Sequence, residues 1–259
     1  MKPISNVQIS EFTVDTSVGS IKVIKHTPSD PQGMIINLNG GNFLCGPGLQ
    51  DRQFCENLCL KTNFIVLEVI YPLAPKHPYP DALNASYEAI QILQHQFNST
   101  LGRPVIIGHS SGGNLAVGTQ ILAQQNRQSK AKKLILDCPM LDLNTEPAKK
   151  DYPEDSEISP ELSQKVIQAY LQNNEKSNPL VSPVFADEHS LVDFPPTAIL
   201  TADLDVLRDE GKRFEELLSR HGIKVWYRNY HHATHGFIII GGNRSKDAFA
   251  DIIEQVKNN

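Results

Sequence analysis

The sequence lacks the features that mark several classes of protein. It carries four cysteines and a formal net charge of −5 over 259 residues, with 24 lysines and arginines against 29 acidic residues. That charge offers no basic surface to a phosphate backbone, which argues against nucleic-acid binding. No stretch approaches the roughly 20 apolar residues of a membrane span, and the first residues lack the apolar core of a signal peptide. We therefore expect a cytoplasmic protein with reduced thiols.

The residues that are present fit one folded unit. Apolar residues make up 40% of the chain and charged residues 20%, which supports a packed core and excludes a disordered chain. No repeat, charge block or flexible linker divides the sequence. We expect a single domain over residues 1–259.

Short apolar runs alternate with longer helical patterns along the chain. Residues 7–14 and 21–26 alternate apolar and polar side chains, which predicts an antiparallel pair near a sheet edge. Six later runs are too apolar for half-exposed strands and resemble parallel strands covered on both faces: 34–38, 64–69, 105–107, 134–136, 197–200 and 225–227. Helical patterns lie between and after them: 49–60, 82–97, 113–125, 163–171, 206–221 and 245–256. This order predicts an α/β fold with a mostly parallel sheet of about eight strands and helices on both faces.

One segment does not fit the alternation. Residues 141–183 follow a predicted strand, are rich in Asp, Glu, Asn and Pro, and contain one helical stretch. We expect them to form a lid or cap inserted over the C-terminal edge of the sheet, where α/β folds place their binding crevices.

The most informative stretch is a G-x-S-x-G motif at residues 108–112. It stands between an apolar run and a helical pattern, as in a sharp strand-to-helix turn that exposes the oxygen of Ser110. Gly108 and Gly112 fit this turn because a Cβ at either position would collide with the adjoining backbone. A Gly/Ser-rich loop without chemistry is the alternative, and the strand before and helix after the motif favour the catalytic interpretation.

A serine hydroxyl becomes a nucleophile only beside a base that a third group orients. Candidates for both follow Ser110 at two later strand ends: Asp203 and Asp205, then His231, His232 and His235. Both acids remain plausible from the residues alone, and we favour Asp205. Among the histidines we favour His235, because Gly236 permits the close turn that an inward imidazole needs. His109 is interpreted as a pocket residue beside the nucleophile.

Attack on an ester carbonyl also needs donors for the developing oxyanion. One candidate is the main-chain N–H of Ser111, directly after the nucleophile. The others should come from the glycine-containing loop 37–46, with Gly40 lining the pocket, because glycines let main-chain N–H groups approach a substrate.

Several motifs together resemble the hormone-sensitive-lipase-like family of α/β-hydrolases, which includes many microbial carboxylesterases. The matching stretches are collinear: 39–42 for His-Gly-Gly-Gly, 71–83 for Y-R-L-A-P-E-x-P-F/Y-P-A-A-L, 108–116 for G-D-S-A-G-G-N-L-A, 178–183 for N-P-Y-x-S-P, 205–211 for D-P-L-R-D-E-G and 235–237 for H-G-F. The resemblance implies an α/β-hydrolase fold in which Ser110 is the nucleophile, Asp205 the acid and His235 the base. It also implies that the N–H groups of Gly41, Asn42 and Ser111 hold the oxyanion.

The chain departs from the family pattern at two points that bear on its substrate. Asn39 and Asn42 replace the family's His and last Gly, and the side chain of Asn42 would narrow the acyl side of the pocket. Only about forty residues precede the glycine loop, which indicates a reduced N-terminal cap and a site that is open or covered by a second copy in a homodimer. We therefore expect a preference for short acyl chains.

The expected activity is hydrolysis of a small carboxylic ester by a Ser-His-Asp acyl-enzyme mechanism, with no cofactor. A metal site is not expected, because Cys55 and Cys59, four residues apart on a predicted helix, lack further ligands with suitable spacing. Two alternatives remain. The same triad would serve an amidase, formamidase or peptidase, and a relative without catalysis could bind small molecules.

Overall fold

The computed structural model describes residues 7–154, 156–172 and 174–258. Within them, eight strands form one sheet in the order β1-β2-β4-β3-β5-β6-β7-β8. The strands are β1 (Gln8–Thr16), β2 (Gly19–Thr27), β3 (Met34–Leu38), β4 (Ile65–Ile70), β5 (Val105–His109), β6 (Lys133–Asp137), β7 (Thr197–Ala202) and β8 (Val225–Tyr230). The predicted α/β fold with about eight strands is confirmed.

The sheet is antiparallel at one edge and parallel elsewhere. β1 pairs with β2 and β2 with β4 in antiparallel register, whereas every pairing from β4 through β3 to β8 is parallel. The central strands β3, β5 and β6 are buried at every position, because helices cover both of their faces. Most residues of the edge strand β1 are exposed, which explains its alternating pattern.

The helices divide between the two faces of the sheet. They are α1 (Leu49–Thr62), α2 (Asp81–Leu101), α3 (Ser111–Gln125), α4 (Pro160–Leu171), α5 (Arg208–Arg220), α6 (Phe237–Ile240) and α7 (Ser245–Lys257). Residues of α2, α3 and α5 share one apolar cluster with the sheet, and those of α1, α6 and α7 share the other. The sequence analysis missed α6, because four residues are too few to show a helical period. None of the described helices is both long and apolar enough to cross a bilayer.

The start of the segment 141–183 is hydrogen-bonded to α5. The buried carboxylate of Glu210 accepts hydrogen bonds from the main-chain N–H groups of Leu141 at 2.6 Å and Asp142 at 2.8 Å. It also accepts one from the ammonium of Lys150 at 2.5 Å. Burial raises the pKa of Glu210 above its ordinary value, although Lys150 and the two N–H donors act against that rise. Through these hydrogen bonds the enclosed carboxylate holds the segment near the C-terminal end of β6.

A second set of hydrogen bonds to this part of the chain comes from α3, the helix that follows the serine turn. The side-chain amide of Asn114 donates to the carbonyl oxygens of Met140 at 3.0 Å and Val181 at 2.8 Å. Asn114 thus joins the residue that precedes the segment and a residue near the segment's end to the helix that begins after Ser110.

Candidate active site

Ser110 lies in the sharp turn between β5 and α3, with a φ of 51°. The turn brings backbone segments so close that side chains are excluded on either side of it. A Cβ on Gly108 would lie 2.4 Å from the carbonyl oxygen of Gly112, and one on Gly112 would lie 2.2 Å from that of Leu38. Both contacts are far below any real Cβ separation, so the two glycines of the motif are required by the backbone itself.

Three distant side chains meet at this turn in one line of hydrogen bonds. The Oγ of Ser110 is 3.0 Å from Nε2 of His235, and Nδ1 of the same ring is 2.8 Å from Oδ2 of Asp205. An ionised carboxylate can only accept, so Nδ1 carries the hydrogen and Nε2 is free to accept from the serine hydroxyl. The three residues favoured from the sequence are therefore brought together in the order that a serine hydrolase needs.

The two candidate acids have different surroundings. Asp205 is 1% exposed, and its second oxygen accepts the N–H of Leu207 at 3.0 Å. The Asp203 carboxylate instead lies 3.3 Å from Nδ1 of His231, whose side chain is 82% exposed, and 3.3 Å from the N–H of Ala233. Asp203 therefore contacts the loop that carries His235, whereas Asp205 contacts the His235 ring itself.

The charge state of His235 reflects opposing effects. Burial lowers the pKa of its imidazole, but this is outweighed by the charge of Asp205, the hydrogen bond of Asp205 to the ring and the charges of Asp137 and Glu157 taken together. The pKa of His235 consequently lies above its ordinary value of 6.5.

His109 lines the cavity beside Ser110, but both of its ring nitrogens are engaged elsewhere. Nδ1 is 2.8 Å from Oδ2 of Asp137, and Nε2 is 3.2 Å from Oδ1 of Asn37. The ring packs edge-on against Phe54 and is buried. Sequence reasoning missed Asn37 and Asp137 as partners, although a polar residue within a buried strand was a usable indication.

The glycine loop after β3 presents donors to the same place. Gly41 has a φ of 117°, and a Cβ there would lie 2.2 Å from the carbonyl oxygen of Cys45, so only glycine fits. The main-chain N–H groups of Gly41, Asn42 and Ser111 find no acceptor among the described residues. Unpaired N–H groups beside a nucleophile are what an oxyanion site requires.

Asn39 and Tyr71 hold this loop in place. The Asn39 side chain donates to the carbonyl of Gly40, and the main-chain carbonyl of Asn39 accepts from the Tyr71 hydroxyl at 2.8 Å. Burial raises the pKa of Tyr71, so the hydroxyl stays protonated and remains a donor. Where the family pattern has a histidine, this chain thus uses an amide to brace the loop.

The other side of the loop packs on the segment 141–183. The rings of Phe43 and Tyr170 stack with centroids 3.7 Å apart and planes 1° from parallel, and both are fully buried. Asn42 and Phe43 both have positive φ, at 56° and 62°, so this loop holds a backbone that ordinary residues avoid. The Tyr170 ring stacks on Phe43 and thereby stabilises this loop conformation.

Replacing Tyr170 by phenylalanine should stabilise the protein by about 1 kcal/mol, because the Tyr170 hydroxyl is buried without a hydrogen-bond partner in the described residues. The change removes that hydroxyl and keeps the stacked ring. Chemical denaturation monitored by circular dichroism measures the difference, with Tyr79→Phe as the matched control on a less buried tyrosine. A loss of stability in Tyr170→Phe would show that the hydroxyl has a partner and contradict this assignment.

A cavity of about 250 Å³ opens at the Ser110 hydroxyl. Its lining comprises Gly40, Gly41, Asn42, Gly46, Asp51, His109, Ser110, Asp137, Cys138, His235, Gly236, Ile239 and Ile240. None of these described lining residues is lysine or arginine, so the cavity lining offers no lysine or arginine side chain to pair with a carboxylate on the substrate. Sequence reasoning did not identify Cys138 or Ile239, because neither belongs to a motif and each reaches the cavity only through the folding of the sheet edge.

Comparison with known proteins agrees with this geometry. The family profile described as alpha/beta hydrolase fold matches residues 35–239. An esterase of Acinetobacter venetianus is 33% identical over 85% of this chain and 73% of its own length, and Esterase LipI of Mycobacterium tuberculosis is 28% identical over 91% and 77%. The solved structure of a hyperthermophilic esterase from Pyrobaculum calidifontis superposes with a TM-score of 0.89 at 26% identity, covering 96% of this chain and 85% of that one.

Proposed function

The chain belongs to the hormone-sensitive-lipase-like family of α/β-hydrolases and is a carboxylic ester hydrolase, and from this premise we propose that it cleaves short-acyl esters through a Ser110 acyl-enzyme. The observation that carries the proposal is the line of contacts from Ser110 through His235 to Asp205. The three residues follow three different strands, β5, β7 and β8, so residues that are neighbours in sequence cannot account for their alignment.

In the proposed reaction, His235 Nε2 takes the Ser110 proton as Oγ attacks the ester carbonyl. The oxygen of the tetrahedral intermediate lies against the N–H groups of Gly41, Asn42 and Ser111, and each such donor is worth about 10²–10³ in rate. His235 then gives its proton to the leaving alcohol, and water repeats the steps to release the acid. Asp205 keeps the imidazole in the required tautomer and stabilises its charged form.

Three features support a small substrate. The cavity of about 250 Å³ is smaller than the roughly 300–1,000 Å³ of pockets for drug-sized ligands. Asn42 places a side chain where the family pattern has glycine, and Phe43 beside it is stacked under Tyr170. We further propose that the chain is a single domain and that residues 141–183 form a lid over its active site. These residues contact both the glycine loop and the helix after Ser110.

Three measurements on the purified protein test this function. A series of p-nitrophenyl esters from acetate to dodecanoate should show kcat/KM highest for acyl groups of two to four carbons, and a rise toward long chains would overturn the short-acyl assignment. A fluorophosphonate probe should label folded protein at Ser110, located by peptide mass spectrometry. Failure to label would favour a non-catalytic binding protein, whereas faster turnover of a matched anilide or formamide than of the ester would favour an amidase.

The pH dependence of kcat/KM should follow the protonation of His235. The imidazole acts as a base only when neutral, so kcat/KM should rise with pH and level off once the proton is lost. Because the pKa of His235 is raised, the midpoint should lie above 6.5. A neutral ester whose own groups do not titrate provides the profile. A midpoint at or below 6.5 would contradict the conclusion that the acidic neighbours of His235 outweigh its burial.

A further inference from the structure

One buried thiol lies beside the proposed triad, and the mechanism gives it no part. Cys138 directly follows β6, is 1% exposed and lines the same cavity as His235. Its main-chain N–H donates to the carbonyl of Leu200 at 2.9 Å, which fixes it against β7. The sulfur of Cys138, a ring nitrogen of His235 and a carboxylate oxygen of Asp205 all lie within 4.8 Å of one another.

This donor set has the chemistry of a zinc site. Thiolate, imidazole and carboxylate are the three ligand types that Zn²⁺ takes in proteins, at about 2.0–2.3 Å. Ligand atoms around a tetrahedral Zn²⁺ therefore stand about 3.5 Å apart. A pair of these atoms at the 4.8 Å limit has to close by about 1 Å, whereas Nδ1 of His235 and Oδ2 of Asp205, now 2.8 Å apart, have to separate by less than about 1 Å. The cavity supplies an entry path, and a catalytic-type site with three protein ligands leaves its fourth position to water.

We propose that Cys138, His235 and Asp205 form an inhibitory binding site for a soft divalent cation of the Zn²⁺ class. On binding, the thiol releases its proton to solvent and the sulfur bonds to the metal. The metal bonds Nδ1, the ring nitrogen that faces Asp205, and the proton of Nδ1 is replaced by one on Nε2, which can then no longer accept from Ser110.

The inhibition rests on the proposed role of His235 as the base, whereas the binding does not. Cys55 and Cys59 are fully buried away from this cavity, and Cys45 is exposed on the glycine loop. Cys45 therefore offers a matched control thiol close to the site but outside the donor set.

The inhibition is tested by titrating ester hydrolysis with Zn²⁺, each variant being normalised to its own rate without metal. Wild type should be inhibited reversibly, with activity restored by EDTA, while Mg²⁺ at the same concentration should have no effect because it prefers oxygen ligands. Cys138→Ala should raise the half-inhibitory Zn²⁺ concentration about tenfold or more, and Cys45→Ser should leave it unchanged. Cys138→Ser keeps the side-chain size and should behave like Cys138→Ala. Equal Zn²⁺ sensitivity of the wild type and the Cys138 variants would overturn the site.

A second readout separates this proposal from the proposed function. In a Cys45→Ser, Ser110→Ala background, Cd²⁺ should produce the ultraviolet charge-transfer absorbance of a thiolate–Cd²⁺ bond, although no ester is turned over. The band should disappear when Cys138→Ala is added. A band that persists without Cys138, or none at all, would overturn the site, whatever the outcome of the esterase tests.

Discussion

Replacing Ser110 by alanine is expected to lower kcat for a p-nitrophenyl ester by about 10⁴-fold or more, with the fold unchanged. The hydroxyl is the atom that His235 contacts at 3.0 Å, and alanine leaves no nucleophile at that position. Binding and the oxyanion donors would remain, which sets the residual rate. Alanine has a Cβ like serine, so it meets the same backbone turn at a φ of 51°.

The neighbouring serine provides the control for this variant. Ser111 is buried in the same turn, directly after the proposed nucleophile. Its expected contribution is the main-chain N–H, which alanine retains, so Ser111→Ala should keep kcat within about threefold of wild type. Circular dichroism and the midpoint of thermal unfolding establish that both variants are folded. Ester hydrolysis by Ser110→Ala above about 1% of the wild-type rate would contradict the nucleophile assignment.

Members of one catalytic unit should fail together. If Ser110 and His235 act in the same proton transfer, Ser110→Ala/His235→Ala should be no slower than Ser110→Ala alone, because removing the nucleophile already leaves the base without a task. Additive losses would indicate that the two side chains serve separate steps.

The fold can be predicted from the sequence where burial or steric limits allow only one kind of residue. Parallel strands such as β3 and β5 are covered on both faces, so most of their residues are apolar and do not alternate with polar ones, which makes the strands recognisable in the sequence. The serine turn is predictable for a steric reason, since Gly108 and Gly112 occupy sites where a Cβ would overlap a backbone oxygen. In such places local chemistry and the final structure require the same residue.

Other features of the site depend on contacts between distant parts of the chain. The aromatic stack of Phe43 on Tyr170 joins residues more than a hundred positions apart, and neither ring belongs to a catalytic motif. Cys138 approaches His235 only because β6, β7 and β8 lie side by side in the sheet. Neither the hydrophobic periodicity nor the spacing of the motifs indicates that Phe43 contacts Tyr170 or that Cys138 lies near His235. Only the folded structure identifies these two contacts.

The residues alone favour Asp205 without excluding Asp203, because the two acids follow the same strand and differ by two positions. Asp205→Asn is expected to lower kcat by about 10⁴-fold, because an asparagine amide no longer fixes the His235 tautomer or stabilises the imidazolium. Asp203→Asn keeps an oxygen that can accept the Ala233 N–H and should reduce kcat less than tenfold. The two variants have the same chemistry and change the net charge equally, so their ratio isolates contact with the imidazole. Comparable losses in both, or a loss below tenfold in Asp205→Asn, would show that the 2.8 Å contact between Asp205 and His235 does not carry the reaction.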